Sequence, residues 1–494
     1  MDAMLFDVQC IQVWGIHLVV PILLVICIQL LWHHYNLRLA DPANKLPLPP
    51  GSFGLPLVGE SFSFILKANF IRMKRLTLGT VYKTHLLGRP TIRVSGPDNI
   101  RKVLMNEHKL VTSHWPKAVQ NLLGDGALSM MTSGTSHKNR RRLITKAFTH
   151  DALEVYTEDI IAVIREEIYK WCQDKTVKAY PSCHHLTFRL AAEILVGFRF
   201  CKEKNDELDF HFHRFVNSFF TLPINLPGFN YRKGVESRNK IHELLDSNIK
   251  DRWETDAYSV NTLQVLLDAM KDSGEELDVL GVKEAVVELM FAGYDTVGSA
   301  LCSVILKLGQ NPHVLEKIRD ELFVHGILEP SEDVTFAMVG KLPYLNNTVK
   351  EVLRTCAPAG GGYRKVLETF ELEGYQVPKD WTVIFSIRDT HEHSDTFNKD
   401  LTFEPDRWIN IEDKSVAHEF IPFGSGPRTC IGRFYAQLVM KLLIIELCRS
   451  TEFTLLDKDP VIKILPVFQP KGGLPMEIKK RTVIYQNNNF NAKI

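Results

Sequence analysis

One cysteine near the C-terminal end of the chain lies where its sulfur could bind a metal. Cys430 belongs to the run Phe-Gly-Ser-Gly-Pro-Arg-Thr-Cys-Ile-Gly (423–432), and an apolar segment with helical character continues to about residue 447. Glycine lets the backbone fold tightly around a sulfur atom and point amide N–H groups at it, and the start of a helix adds a favourable dipole. Such surroundings stabilise a thiolate, which is the form of cysteine that binds metals.

Two neighbours of Cys430 indicate that the metal is a haem iron. Phe423 could cover the proximal face of a haem, and Arg428 could reach a propionate. Thiolate ligation pushes electron density into the iron and favours O–O cleavage. The alternative is an ordinary buried cysteine in a tight turn. The whole run, ending at Gly432, resembles the haem-binding signature of the cytochrome P450 superfamily, and this resemblance implies haem b with Cys430 as the iron ligand.

A second candidate site interrupts a long apolar helix with an acid and an alcohol, Asp295 and Thr296. Dioxygen activation needs both groups, a hydroxyl that holds the oxygen species and an acid that supplies protons. Gly293 and Gly298 each cost about 1 kcal/mol in mid-helix relative to alanine. We therefore expect them to allow a flat ligand to approach or the helix to widen. The alternative is a solvated pair on a surface helix, which the apolar flanks disfavour.

This segment also resembles the oxygen-binding groove in the central helix of cytochromes P450. The family usually has a second hydroxyl after the first, whereas this chain has Val297 at that position. The resemblance therefore implies that Thr296 acts alone.

Glu351 and Arg354 lie three residues apart and share one helix face. By itself such a pair is usually a weak surface interaction. Some fifty residues later the chain reads Phe-Glu-Pro-Asp-Arg-Trp (403–408). The family resemblance makes Arg407 the third member of a buried Glu–Arg–Arg network with a structural role. Breaking this network would leave a buried charge unpaired and prevent haem incorporation.

Further cationic residues are candidates for contacts with the haem. His137 and Arg141, four residues apart at the start of a helix, fit the family pattern that binds a propionate, and Arg364 is another candidate. The alternative for the first pair is a solvated charged face. A basic surface that steers an acidic electron donor is expected from three nearby residues, Arg140, Arg142 and Lys146.

Composition limits the possible partners. The 494 residues include 59 Lys and Arg against 58 Asp and Glu, so the net charge offers no basic field for nucleic acid. The nine cysteines include no Cys-x-x-Cys spacing, which argues against zinc and against a disulfide framework. We therefore expect a reducing, cytosol-facing compartment.

The N-terminal segment predicts a membrane anchor. From Cys10 to Trp32 the chain is uncharged, and 23 helical residues would span about 34 Å. The positive flank follows the segment, so the rest of the chain should face the cytosol. A cleaved signal peptide is the alternative, but the segment lacks a basic leader and a cleavage site. We predict an anchor at 1–35, a proline-rich hinge at 36–60 and a catalytic domain at 61–494, in the endoplasmic reticulum membrane with a single pass.

Periodicity predicts a mainly α fold with small peripheral β-sheets, as the cytochrome P450 resemblance also implies. Alternation and a Gly-Arg-Pro turn predict a hairpin at 80–98, and short strands are expected at 369–386 and 451–485. The polar tail 486–494 is expected to be frayed. Helices are predicted at 151–173, 186–200, 235–254, 261–273, 281–310 and 312–326.

Several longer segments resemble the vertebrate-type retinoic acid 4-hydroxylases, among them 82–94, 107–116, 369–378 and 386–391. The resemblance implies a retinoid substrate, a flat apolar polyene that ends in a carboxylate. Arg89 and Arg93 are candidate partners of that carboxylate. The branch commonly has Pro-Gly-Gly-Phe where this chain has Gly-Gly-Gly-Tyr. The residues at matching pocket positions are Trp115, Phe220, Phe291, Gly360 and Tyr363.

The sequence is therefore interpreted as a haem-thiolate monooxygenase that hydroxylates retinoic acid at the 4-position of the ring. It would use O2 and NADPH-derived electrons from NADPH–cytochrome P450 reductase, and it would clear a retinoid signal. One alternative changes the substrate to a sterol, steroid or other terpenoid. Others are a reductase-independent rearrangement of a peroxide, which the acid–alcohol pair disfavours, and a haem-bound lipid carrier, which would not consume NADPH.

Overall fold

The computed structural model describes residues 2–66, 70–198, 200–254, 261–273, 278–397, 400–464 and 466–482. The polar tail lies outside them. The chain forms two compact units, one of Met1–His114 with Gly362–Ser386 and the other of Trp115–Gly361 with Ile387–Ile494. The boundaries predicted at residues 35 and 60 remain a prediction.

The described residues are mainly helical. The helices are α1 (Asp2–Leu37), α2 (Ser61–Leu66), α3 (Phe70–Leu78), α4 (Pro97–Met105), α5 (Lys117–Leu123), α6 (Gly134–Thr145), α7 (His150–Asp174), α8 (Ala179–Arg189), α9 (Lys202–Val216), α10 (Asn230–Glu254), α11 (Thr262–Ser273), α12 (Val279–Gln310), α13 (Pro312–Val324), α14 (Phe336–Gly340), α15 (Pro343–Thr355), α16 (Ile387–Glu392) and α17 (Arg433–Ser450). A π-helix (Leu190–Val196) follows α8, and short 3-10 helices cover Lys146–Phe148, Pro405–Asn410 and Gly426–Arg428.

The strands form four small sheets among the described residues. They are β1 (Val81–Leu86), β2 (Arg89–Val94), β3 (Val111–Ser113), β4 (Thr176–Lys178), β5 (Gly361–Val366), β6 (Phe370–Leu372), β7 (Tyr375–Val377), β8 (Thr382–Ser386), β9 (Thr451–Leu455), β10 (Ile462–Lys463), β11 (Gln469–Pro470) and β12 (Pro475–Lys480). The prediction of a mainly α fold with small sheets is confirmed.

A five-stranded sheet organises the first unit, in the order β1-β2-β8-β5-β3. The predicted hairpin is its edge, because β1 and β2 pair antiparallel. The turn consists of Leu87 and Gly88, both with positive φ, which matches the twist that two-residue hairpins require. Arg89 and Pro90, which we expected in the turn, belong to β2. Strand β8 pairs parallel with β2 and so joins a distant part of the sequence to the hairpin.

The described residues include two helices that are long and apolar enough to span a bilayer. The first, at Val19–Leu37 within α1, has its described apolar side chains exposed, as expected of an anchor in contact with lipid. The second is α12, most of which is buried inside the second unit. Helix α12 is therefore a core helix, and α1 is the candidate anchor.

The core of the second unit surrounds α12, whose side chains are apolar on nearly every face. Asp278 caps this helix by accepting a hydrogen bond from Gly281 N at 2.7 Å. The helix predicted at 186–200 is α8 with its π-helical continuation, and it begins earlier, at Ala179. Pro181 is tolerated in the first turn, where its missing N–H costs nothing. Helix α9 was not predicted.

Candidate haem-binding site

The loop around Cys430 folds as its glycines require. Gly424 and Gly426 have φ values of 69° and 72°, a region that favours glycine. These turns bring Cys430 N within 2.9 Å of Phe423 O, to which it donates a hydrogen bond. Helix α17 begins three residues after the cysteine, with Gly432 as its N-cap residue. The sulfur therefore lies at the start of a helix.

Opposing effects act on the Cys430 thiol. Burial among neighbouring groups raises its pKa, while the Gly432 amide and the charges of Arg141 and Arg433 lower it, and burial prevails. The role of Cys430 as a thiolate ligand remains a prediction. The thiol is nevertheless reachable by solvent. A coordinating metal ion deprotonates a thiol outright, so this sulfur fits an iron ligand.

Cations gather around the cysteine loop. Arg141 donates to Thr429 O at 2.6 Å, and Arg428 donates to Met131 O at 2.5 Å. Burial lowers the pKa of Arg141, and the positive charges of Arg433 and Arg428 lower it further. Two haem propionates would relieve this repulsion, so the arrangement fits the cofactor.

Helix α6 carries the predicted pair His137 and Arg141 one turn apart. His137 is buried, whereas Arg142 is exposed. Arg140 is also buried, and its guanidinium donates to two carbonyl oxygens, those of Gly126 at 3.1 Å and Gly281 at 3.3 Å. The assignment of Arg140 to a basic surface is therefore wrong, because its charge is directed into the core.

The middle of α12 presents an accessible stretch in a helix that is otherwise mostly buried. Ala292 is exposed, and Thr296, one turn later on the same face, is half-buried. Thr296 Oγ1 donates to Ala292 O at 2.6 Å. A small residue followed by a hydroxyl on an open face suits the approach of a flat group such as a haem.

Asp295 has a partner that the sequence did not indicate. Its Oδ1 lies 3.2 Å from Nε2 of His184 on α8. A Cβ placed at Gly298 would lie 3.0 Å from three atoms of the same imidazole ring, and one at Gly293 would lie 3.5 Å from Leu195 Cδ1. Gly298 therefore lets the His184 ring pack closely against α12, whereas a Cβ at Gly293 would make only an ordinary van der Waals contact.

The structure brings Glu351, Arg354 and Arg407 together. The Glu351 carboxylate, which is fully buried, accepts hydrogen bonds from Arg354 Nε at 2.9 Å and NH2 at 2.8 Å and from Arg407 Nε at 3.0 Å. Trp408 Nε1 donates to it at 2.9 Å, and Arg407 also contacts Asp400 at 2.9 Å. Sequence reasoning missed Trp408 and Asp400, although Trp408 ends the motif that identified Arg407.

The predicted substrate residues are distributed over both units. The rings of Phe291 and Phe219 are 4.4 Å apart, Trp115 is partly buried against the same core, and Phe220 is 49% exposed. Gly360 accepts a hydrogen bond from Ile387 N at 3.0 Å within the second unit.

Tyr363 and Arg364 lie in the first unit. Burial raises the pKa of Tyr363. Arg364 forms a buried ion pair with Glu107 at 2.8 Å, so its guanidinium already has a carboxylate partner. Its assignment to a propionate remains a prediction.

Comparisons with known proteins find similarity along most of the chain. The family model described as Cytochrome P450 matches residues 49–481. The chain is 38% identical to Cytochrome P450 26A1 of Danio rerio, over 93% of this chain and 96% of the relative. It is 39% identical to Cytochrome P450 26B1 of Homo sapiens, over 91% and 90%. The solved structure of retinoic acid bound cyanobacterial CYP120A1 superposes with a TM-score of 0.82 at 29% identity, over 88% of this chain and all of that one.

Proposed function

The chain belongs to the cytochrome P450 family, and we propose that its substrate is retinoic acid, hydroxylated at the 4-position of the ring. It is a haem-thiolate monooxygenase that uses O2 and NADPH-derived electrons. The observation that supports the substrate best is the similarity along nearly the whole chain to a cytochrome P450 solved with retinoic acid bound.

Each part of the site has a proposed task. Cys430 would hold the iron, and Phe423 would cover the haem next to this ligand. His137, Arg141 and Arg428 bind the propionates, a role supported by the mutual repulsion of the cations near Cys430. When bound, the haem activates dioxygen, and its thiolate ligand favours O–O cleavage.

Two residues of α12 would manage the protons that the reaction consumes. Thr296 holds its hydroxyl within the helix by donating to Ala292 O, which leaves its oxygen lone pairs available to accept a hydrogen bond. Asp295, the preceding residue, supplies protons. Val297 offers no second hydroxyl, so Thr296 alone orients the oxygen species.

Aromatic rings provide the proposed apolar surface for the polyene. Phe291 lies one residue before Ala292, and its ring packs on Phe219. Trp115, Phe220 and Gly360, which belong to the same unit as Phe291, are proposed to line the pocket with it. A flat polyene gains from contacts with such rings and from leaving water.

An optical titration of the ferric protein with all-trans-retinoic acid tests the substrate. We expect a saturable low-to-high-spin shift of the Soret band. We expect Phe291→Ala to weaken binding about tenfold, which corresponds to about 1.4 kcal/mol of lost contact. Phe210→Ala is the matched control, because Phe210 is exposed on α9 and should leave the titration unchanged.

Absence of a shift, in a protein whose reduced carbon monoxide spectrum is normal, would contradict the retinoid assignment and favour a sterol or another terpenoid. Saturable binding without NADPH consumption in the presence of reductase would instead indicate a carrier. An equal loss of affinity in the two phenylalanine variants would show that Phe291 does not line the pocket.

Cytochromes P450 take electrons from redox partners, and for this chain we propose NADPH–cytochrome P450 reductase. The exposed Arg142 and Lys146 support an acidic partner. We also propose a single pass through the endoplasmic reticulum membrane by α1, with the rest of the chain in the cytosol. Protease treatment of intact microsomes should then digest both compact units and spare only a short N-terminal fragment.

A further inference from the structure

His184 and Asp295 form a couple that no sequence pattern indicated. His184 lies on α8, and its Nε2 is 3.2 Å from Asp295 Oδ1, while its Nδ1 is 2.8 Å from Tyr180 O. Both side chains are largely buried, with exposed fractions of 5% for His184 and 16% for Asp295. We propose that His184 is a positioning residue for the monooxygenase reaction, which holds Asp295 and shares with it the proton that this acid delivers.

The hydrogen-bond partners determine how many protons the couple holds. A carbonyl oxygen only accepts, so Nδ1 of His184 must carry a proton to bond with Tyr180 O. A hydrogen bond between Nε2 and Asp295 Oδ1 then needs one further proton, on either the nitrogen or the oxygen. The couple therefore holds a single transferable proton, as either imidazolium with carboxylate or imidazole with carboxylic acid.

The imidazole ring is held on three sides. Gly298 allows the ring to lie directly against α12, since a Cβ there would be 3.0 Å from three ring atoms. The Tyr180 ring centroid is 4.1 Å away, and the Tyr294 ring meets His184 edge-on at 5.1 Å. Because these contacts fix the ring, Nε2 stays directed at Asp295, and no conformational entropy of the side chain is lost in orienting it during turnover.

Four of the titratable groups near the couple do not compete for this proton at neutral pH. Burial raises the pKa of each of them, so they remain protonated and neutral: Tyr180 and Cys183 on α8, and Tyr294 and Cys302 on α12. On α9, His213 Nδ1 lies 2.6 Å from the Tyr294 hydroxyl, and burial raises the pKa of Asp209. Both α9 groups act on Tyr294: His213 bonds to its hydroxyl, and Asp209 acts on it through its charge.

The proton balance gives the couple a direction. The shared proton leaves from the Asp295 carboxyl towards the face of α12 on which Thr296 lies, where the oxygen species would be held. Asp295 then remains as a carboxylate that faces an unprotonated Nε2, and these two acceptors have no hydrogen bond between them. Uptake of one proton from solvent restores the bond, so the couple is reloaded once for each proton delivered.

Coupling of NADPH oxidation to product formation tests this inference, which rests on the monooxygenase activity. His184→Phe keeps a ring but removes both nitrogens. We expect about a tenfold lower kcat and a larger share of the electrons from NADPH used to reduce O2 to hydrogen peroxide, with KM unchanged. His184→Gln, which still reaches the carboxylate, should restore much of the coupling. His213→Gln is the matched control, because His213 contacts Tyr294 and not Asp295.

A double-mutant cycle separates positioning from independent effects. Because His184 acts through Asp295, we expect His184→Phe to have no further effect in an Asp295→Asn background. Equal losses in the two backgrounds, or unchanged coupling in His184→Phe, would overturn the inference. Wild-type protein that does not hydroxylate retinoic acid would contradict the proposed substrate, and the cycle would then be measured as reductase-driven peroxide release.

Nitrogen NMR of histidine-labelled protein provides a readout independent of turnover, with the His184 signal identified by its loss in His184→Gln. We expect Nδ1 to carry a proton, because its partner is the Tyr180 carbonyl oxygen, which can only accept. We expect Asp295→Asn to change the Nε2 signal alone. An unprotonated Nδ1, or an Nε2 signal unaffected by Asp295→Asn, would overturn the proposal even if the variants lose activity.

Discussion

Substitution of Glu351 by glutamine should destabilise the second unit far more than an apparently equivalent change elsewhere. The Glu351 carboxylate is fully buried and accepts five hydrogen bonds, from Arg354 (two), Arg407, Trp408 Nε1 and the Glu404 amide. Glutamine has the same shape but replaces one acceptor oxygen with a donor and removes the charge that two arginines need. Loss of one partner from a buried ion pair costs about 3–5 kcal/mol.

Helix α13 contains a matched control. Glu316 and Arg319 have the same three-residue spacing and are 2.5 Å apart, but the Glu316 side chain is 63% exposed. Exposed pairs contribute up to about 1 kcal/mol, so Glu316→Gln should have a small effect.

Urea unfolding of the full chain in detergent, followed by tryptophan fluorescence and by haem absorbance, measures both variants. We expect Glu351→Gln to lower the free energy of unfolding by about 3–5 kcal/mol and to lower haem content. A difference of less than about 1 kcal/mol between the Glu351 and Glu316 variants would refute the reasoning, because burial would then not determine the strength of the pair.

Three further predictions follow from particular contacts. Gly298→Ala should push the His184 ring away from α12 and increase peroxide release, whereas Gly340→Ala, where an added Cβ meets nothing within 4 Å, should not. Burial lowers the pKa of His391 to about 3, so below about pH 6.5 the unfolded chain binds more protons than the folded chain. Stability should therefore fall as pH falls, by up to about 1.4 kcal/mol per pH unit. The unfolding midpoints of His391→Gln should lack this pH dependence, and an identical slope in the variant would contradict the prediction. Reversing the charges of Arg142 and Lys146 should slow reductase-driven turnover most at low salt, whereas a salt-independent effect would argue against electrostatic steering.

The parts of the fold that periodicity predicts are those in which local sequence determines the outcome. The hairpin at β1 and β2, the capped core helix α12 and the glycine loop before Cys430 all have strong local signals. Helix α8 begins earlier than predicted because its first two turns contain proline, cysteine and histidine, which mask the apolar period. Its most consequential residue, His184, is unremarkable in sequence, since nothing near it indicates a partner 111 residues away.

Contacts that are distant in sequence also explain why ion pairs with the same local spacing differ in strength. Glu446 and Arg449 on α17 repeat the spacing of Glu351 and Arg354, and both are buried, whereas Glu316 of the equally spaced pair on α13 is 63% exposed. Their burial depends on distant groups, since Glu446 also binds Arg165 at 3.0 Å and Arg449 donates to Glu332 O at 2.6 Å. A Glu-x-x-Arg motif therefore predicts a helix face, and the packing around it determines whether breaking the pair costs a few tenths of a kcal/mol or about 3–5 kcal/mol.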